Sequence, residues 1–226
     1  MMRCCTIEVR AASSHMPERP FAHHFTGYCH RKHGKLEAAV ADFSESIRLN
    51  PDNALAYDER GFALMKLGQH MQAINDFSSS FEMNPLNVKT FVNRGTSHAK
   101  VGNYAQAVAD YDEALKIDPT HASAMHNRAV ALTKLGMLQQ ALDGFSRLIE
   151  KYPEDANAHF CRGSAYVPLF SAERRPLVIL CSSLRRCWRC NAPFVCARLD
   201  AMGEHEAAVE DYTRALDLEG SVGSWR

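Results

Sequence analysis

The chain has 226 residues, with 26 Lys and Arg against 26 Asp and Glu, so its formal net charge at pH 7 is zero. General nucleic-acid binding needs a basic surface, and this balance argues against it. No run of about 18 apolar residues occurs, which argues against a transmembrane helix.

The eight cysteines are too scattered to indicate a disulfide framework, and the first ten residues lack an apolar core of signal-peptide length. We therefore expect a reducing compartment, namely the cytoplasm, with the cilium and the nucleus as alternatives. No Gly-rich phosphate loop and no G-x-S-x-G or H-E-x-x-H motif occurs. The sequence therefore predicts neither an enzyme nor a bound cofactor.

Residues 1–19 show no hydrophobic periodicity and are predicted to be a disordered lead, with a mis-called start and a transit peptide as the alternatives. Residues 20–53 form a first repeat, whose second helix has one apolar face at helical spacing, made of Leu36, Ala39, Val40, Phe43 and Ile47. Its first helix is atypical, because His23, His24, Cys29, His30 and His33 stand where later repeats have aromatic or aliphatic residues. A zinc site there lacks an evident fourth ligand, so we interpret this helix as a terminal cap.

The next three repeats span residues 54–87, 88–121 and 122–155, and their marker residues recur every 34 positions. The glycines are Gly34, Gly68, Gly102 and Gly136, the alanines Ala39, Ala73, Ala107 and Ala141, and the prolines Pro51, Pro85, Pro119 and Pro153. We expect each glycine to close a first helix in the left-handed conformation and each proline to follow a second helix. Asn53, Asn87 and Asp155 are predicted N-caps.

Arginine recurs on the first helices, at Arg60, Arg94, Arg128 and Arg162, and an aspartate often follows 16 residues later. This spacing predicts the structural pairs Arg60–Asp76 and Arg94–Asp110, which would join the two helices of one repeat. The pattern has two gaps. Asp42 lies opposite Thr26 in the first repeat, and the fourth has Gly144 at the acidic position, with the acid moved to Asp143.

The fifth repeat begins at residues 156–166 and resumes at 200–219, followed by a tail at 220–226. The intervening insert, residues 167–199, has six Arg and one acidic residue, and Pro168 is expected to break a helix. Three interpretations stay open: a gene-model error, an exposed loop, and a zinc site at Cys181, Cys187, Cys190 and Cys196. Val209, Tyr212 and Leu216 are expected to form an exposed apolar face on the last helix, which would permit self-association.

The repeat pattern as a whole resembles that of the tetratricopeptide repeat family. One repeat places Tyr57, Gly61, Ala73, Phe77 and Pro85 where the family has its signature residues, and the next places Phe91, Gly95, Ala107, Tyr111 and Pro119 there. The resemblance implies an all-α fold, an α-solenoid of tandem helix-turn-helix repeats. It also implies that the first helices line a concave groove for an extended peptide.

Two sets of residues would then lie in the groove. Asn93 and Asn127 are similar to the asparagine ladder of a glycosyltransferase relative, whose amides bind peptide backbone. The second set is the ladder Lys32, Lys66, Lys100 and Lys134, which together with Lys89 would favour an acidic peptide, although lysine in a last helical turn also complements the helix dipole. The chaperone-binding clamp of other relatives is matched at only one of five places, since those places hold Asp58, Phe62, Asn93, Ser123 and Asn127.

The resulting prediction is a protein-interaction scaffold with a protein or peptide partner. The alternative is a fragment or regulatory repeat domain of a larger enzyme or co-chaperone.

Overall fold

The computed structural model describes residues 20–171 and 205–222, and these residues form ten α-helices. They are α1 (Pro20–Lys32), α2 (Leu36–Leu49), α3 (Ala54–Lys66), α4 (His70–Met83), α5 (Val88–Val101), α6 (Tyr104–Ile117), α7 (Ala122–Lys134), α8 (Leu138–Lys151), α9 (Ala156–Ser171) and α10 (His205–Val222).

The helices are distributed over two compact units, which meet in sequence between His121 and Ala122. In the first unit α1 pairs with α2, α3 with α4 and α5 with α6, and α2 packs on α3 and α4 on α5. In the second unit α7 pairs with α8, α9 pairs with α10, and α8 packs on α9. The predicted all-α fold of tandem helical hairpins is therefore confirmed.

The helix ends follow from local sequence as predicted. Gly102 takes φ +91° after α5, and the other three periodic glycines, Gly34, Gly68 and Gly136, are left-handed as well. The Asn53 side chain accepts a hydrogen bond from the Ala56 amide at 3.3 Å. Asn87 and Asp155 cap α5 and α9 in the same way.

The core depends on a glycine of each first helix that lies against an aromatic ring of the second. A Cβ atom on Gly95 would stand 2.9 Å from Tyr111 Cε1 and 3.2 Å from the Ala107 carbonyl oxygen. The same closeness holds for Gly27 on Phe43, Gly61 on Phe77 and Gly163 on Tyr212. The rings of Phe43, Phe77 and Tyr111 are almost fully buried as a result.

In the fourth repeat the two helices also approach closely, but the small residue is on the other helix. The first helix has Ala129 where the other repeats have glycine, and the second helix has Gly144 where they have aspartate. A Cβ atom on Gly144 would lie 3.3 Å from Ala129 Cβ. In the second repeat the residue equivalent to Gly144 is Asp76, whose Cβ lies 3.2 Å from where a Gly61 Cβ would be. The missing aspartate at position 144 therefore has a packing reason.

The predicted arginine–aspartate pairs are confirmed. Arg60 donates to both carboxylate oxygens of Asp76 at 2.7 Å, and Arg94 binds Asp110 with its closest contact at 2.6 Å. Each arginine also reaches a serine on the second helix of the preceding repeat, at 3.1 Å to Ser44 and 3.3 Å to Ser78. One guanidinium thus joins three helices. Charge-assisted bidentate bonds of this kind are among the stronger hydrogen bonds in proteins.

The first and fourth repeats lack one member of the arginine–aspartate pair, and the remaining carboxylates have different partners. In the first repeat Thr26 holds the place of the arginine, and the partner of Asp42 is His30, one turn further along α1, with 2.7 Å between His30 Nδ1 and Asp42 Oδ2. The short Thr26 side chain instead donates to the His23 carbonyl at 3.0 Å. In the fourth repeat Asp143 is exposed, and Gln139 on the same helix donates to it at 3.4 Å.

The fifth repeat closes across the insert with the contacts of an uninterrupted repeat. Arg162 donates to both oxygens of Asp211, at 2.7 and 2.6 Å, and to Ser146 at 3.2 Å. These partners are 49 residues apart in sequence, and subtracting the 33 inserted residues leaves the 16 of the Arg60–Asp76 pair. Asp211 also lies 3.1 Å from Nδ1 of the buried His159.

Two expectations about this region are wrong. Helix α9 continues through Pro168 to Ser171, since a proline removes one backbone bond and can be carried within a helix. Tyr212 is turned inward, where its ring lies against Gly163 and 5.5 Å from the ring of Phe160. Leu216 is 51% exposed as expected, and self-association through it stays a prediction. The four insert cysteines lie outside the described residues.

We expect Gly95→Ala to lower the free energy of unfolding by about 1–3 kcal/mol, because the new methyl group overlaps Tyr111 and a backbone oxygen. Urea unfolding followed by circular dichroism measures this. Gly144→Ala is the matched control. Its nearest neighbour is a methyl group at 3.3 Å, and the gain in helix propensity of about 1 kcal/mol offsets the crowding. Equal midpoints for Gly95→Ala and the parent chain would contradict the packing argument.

We also expect a chain with Tyr166 joined directly to Asp200 to unfold at the same temperature as the parent or higher. The same side chains close the repeat, and shortening a loop recovers about 0.6 kcal/mol for each halving of its length. Asp211→Ala should destabilise both backgrounds equally. Loss of helix content, or a lower midpoint in the shortened chain, would show that the insert supports the repeat.

Candidate functional site

The first helices of the first compact unit touch one another through polar side chains. Arg31 on α1 is in ionic contact with Glu59 on α3, with 2.6 Å between Nε and Oε2. Thr90 on α5 donates to Asp58 Oδ1 on α3 at 2.7 Å. These contacts hold α1, α3 and α5 side by side and define a surface along the three first helices.

Aromatic rings and cations alternate on this surface. The Arg31 guanidinium lies between two rings, 5.1 Å from the centroid of Tyr28 and 5.0 Å from that of Phe62. Lys32 Nζ lies 5.3 Å from the Tyr28 ring, and Lys66 Nζ lies 5.4 Å from the Phe62 ring. We call these five residues, with Glu59, the first-helix cluster. A cation within about 6 Å of a ring centroid is attracted to the face of the ring, and this attraction stabilises the cluster.

Two carboxyl groups on α3 ionise less readily than usual. Burial raises the pKa of Asp58, and the Thr90 hydrogen bond and the charges of Lys89 and Arg31 offset this only in part. Burial also raises the pKa of Glu59 against the opposing charge of Arg31. Desolvation of the charged form is the main cause in both cases.

The predicted peptide-binding residues fall in both compact units. Asn93 is half-buried on α5, and its side-chain amide makes no hydrogen bond to another described residue. Lys66, Lys89 and Lys100 are exposed on α3 and α5. Asn127, half-buried, and Lys134, exposed, lie on α7 of the second compact unit. Four of these six predicted residues therefore lie on two neighbouring helices of the first unit, Lys66 on α3 and the other three on α5.

The contacts of Tyr28, Arg31 and Phe62 were not predicted, although the sequence carries a signal for them. Phe62 follows Tyr28 by one repeat length of 34 residues, so both rings occupy the same place on successive first helices. Arg31 follows Tyr28 by three residues, which is neighbour spacing on a helix. Glu59, which in the second repeat holds the place of Asn93 and Asn127, is the partner of that arginine.

Within the described ranges, no cluster of three or more His, Cys, Asp and Glu residues is arranged to hold a metal ion. None of the helices described is long and apolar enough to cross a membrane. A shallow cleft of about 430 Å³ lies on a second helix, α6, where Ala109, Asp112 and Leu115 contribute to its lining. This cleft involves none of the predicted binding residues.

Comparison with known proteins gives consistent matches to helical repeats. Family models described as "Tetratricopeptide repeat" match residues 88–121 and 110–143, and one described as "TPR repeat" matches residues 27–68. No curated protein matches the sequence significantly.

Several solved structures share the fold. MamA from Desulfovibrio magneticus RS-1 is 17% identical with a TM-score of 0.74, over 92% of this chain and 99% of that one. YrrB, described as "a TPR protein with an unusual peptide-binding site", is 19% identical with a TM-score of 0.69, over 94% of this chain and 92% of its own. At these identities the likeness concerns the fold.

We expect Asp58→Asn to stabilise the chain increasingly as the pH rises from 4 towards 7.5. The raised pKa of Asp58 means that its ionised form is disfavoured on folding, so the penalty is absent at low pH and develops as the carboxyl ionises. Asparagine keeps an acceptor for Thr90 and carries no charge. Thermal unfolding across this pH range measures the difference from the parent chain.

The control is Asp52→Asn, which removes an exposed carboxyl outside the Asp58–Thr90 contact. A difference between Asp58→Asn and the parent that is constant with pH would show that desolvation of the Asp58 carboxylate is not the cause.

Proposed function

Because the chain belongs to the tetratricopeptide repeat family, we propose that it is a protein-interaction scaffold whose first helices bind an extended peptide. The family match and the stacked helical hairpins support the scaffold role. YrrB, which has the same fold, is described as having a peptide-binding site. In the first compact unit the proposal places the peptide on α1, α3 and α5, and in the second unit it assigns Asn127 and Lys134 on α7 to peptide binding.

The proposal rests on the side-chain amide of Asn93. Its amide is half-buried on a first helix whose neighbours are fixed by the Asp58–Thr90 bond, and it bonds to no other described side chain. A side-chain amide both donates and accepts, so it can satisfy a peptide unit without recognising a particular side chain. Each such bond contributes about 1 kcal/mol, so several contacts are needed.

The lysines supply the second part of the proposed site. Lys66, Lys89, Lys100 and Lys134 are all exposed, and a partner with acidic residues would gain from them. At the surface each such contact is weak and screened by salt, so the lysines would act mainly on association rate and selectivity. In this proposal the amides hold the backbone and the lysines select among peptides.

A random peptide library displayed on phage, selected against the full chain, tests the proposal. We expect enriched peptides to bind Asn93→Ala/Asn127→Ala about 30-fold more weakly, which corresponds to the loss of about 2 kcal/mol from two hydrogen bonds. Asn75→Ala is the matched control, because Asn75 is an exposed asparagine on the second helix α4.

Equal affinities for the double variant and the parent would place the peptide elsewhere on the chain. A selection that enriches no peptide would count against peptide binding itself. Circular dichroism of both variants should match the parent, because neither substitution removes an observed intramolecular bond.

A further inference from the structure

Helix α1 carries a row of exposed aromatic residues. Phe21 is 76% exposed, Phe25 41% and Tyr28 37%, and their spacings of four and three residues place them along one side of the helix. Another part of α1 packs inward, where Gly27 lies against Phe43. We call Phe21, Phe25 and Tyr28 the aromatic stripe. Contiguous exposed apolar surface of this kind marks an interaction site more often than scattered apolar residues do.

The aromatic stripe adjoins the first-helix cluster, which carries an excess of positive charge. The cluster has three cations, Arg31, Lys32 and Lys66, and one carboxylate, Glu59, so its formal charge is +2. The next pair of charges along the surface, Asp58 and Lys89, cancels and does not change this excess. Lys32 and Lys66 are exposed at their places over the rings of Tyr28 and Phe62.

We infer that the aromatic stripe is an anchor site for a bulky apolar or aromatic residue of an acidic partner peptide. This inference rests on the proposed peptide-binding function and specifies its partner. An aromatic anchor would pack on the rings of Phe21 and Phe25, where ring pairs gain more than the buried area alone provides. Acidic residues beside the anchor would meet Lys32 and Lys66, the exposed cations of the cluster.

Segments of the chain itself are poor occupants of this site. Residues 1–19 contain no Phe, Tyr or Trp, and their three Arg against two Glu make them weakly basic. The insert, residues 167–199, carries six Arg against one Glu. Both would bring positive charge to a surface that already has an excess of it. A second copy docked through the same surface would also bring +2 against +2, because a two-fold contact pairs each patch with itself.

The test uses the full chain and an array of short synthetic peptides. The peptides carry a central Phe, Tyr, Trp or Leu flanked by Asp and Glu, with matched sets in which the flanks are Lys and Arg or the centre is Ala. We expect the acidic, anchored set to bind about tenfold tighter than either matched set, and to weaken as NaCl is raised.

Two variants locate the site. Phe21→Ser/Phe25→Ser should weaken binding of the acidic, anchored peptides about tenfold, whereas Met71→Ser, at a methionine 58% exposed on the second helix α4, should leave it unchanged. Phe21 and Phe25 are both exposed, so we expect the variants to keep the fold, and circular dichroism verifies this. Lys32→Gln/Lys66→Gln should abolish the preference for acidic flanks.

The outcomes separate this inference from the proposed function. Peptides whose binding depends on Asn93 and Asn127, but not on Phe21, Phe25 or acidic flanks, would overturn the anchor site and leave the scaffold proposal standing. Failure of every peptide to bind would count against both. Competition by a synthetic peptide of residues 1–19, with tighter peptide binding after deletion of that segment, would make the chain's own N-terminal segment the occupant and overturn the inference.

Discussion

The close approach of paired helices is the constraint from which the other features of each repeat follow. Gly95 fits against the ring of Tyr111 only because it has no side chain, and Gly27, Gly61 and Gly163 do the same in their repeats. At this separation the guanidinium of a first helix can reach both the aspartate of its own second helix and the serine of the preceding one. Backbone proximity therefore comes first, and the polar ties between helices depend on it.

The surface available to partners depends on the same arrangement. Because each first helix directs its small residues at its second helix, the side chains on its other faces are free to meet those of neighbouring first helices. On these faces Arg31 lies between the rings of Tyr28 and Phe62, and Asp58 accepts a hydrogen bond from Thr90. The residues proposed to bind a partner thus lie at positions that the core does not constrain, and these positions differ from repeat to repeat while the glycines recur.

Features fixed by the 34-residue period or by neighbouring residues could be predicted from the sequence, including the left-handed glycines, the Asn53 cap and the Arg60–Asp76 pair. Features that depend on side-chain reach could not. His30 replaces an absent arginine as the partner of Asp42, and Tyr212 turns towards Gly163, because contacts in three dimensions decide both. The stacking of Arg31 between two rings was missed for the same reason. The roles of Asn93 and the lysines stay predictions, since they concern a partner outside the chain.

The contacts that close the fifth repeat give α10 an unusual status. The side chains of Asp211 and Tyr212 contact Arg162, Gly163 and Ser164. These contacts are the same as in the other repeats, although the chain between the two helices is 33 residues longer. Helix α10 is in this sense an internal ligand of α9, because the contacts between the two helices, and not the length of the sequence between them, specify the pairing.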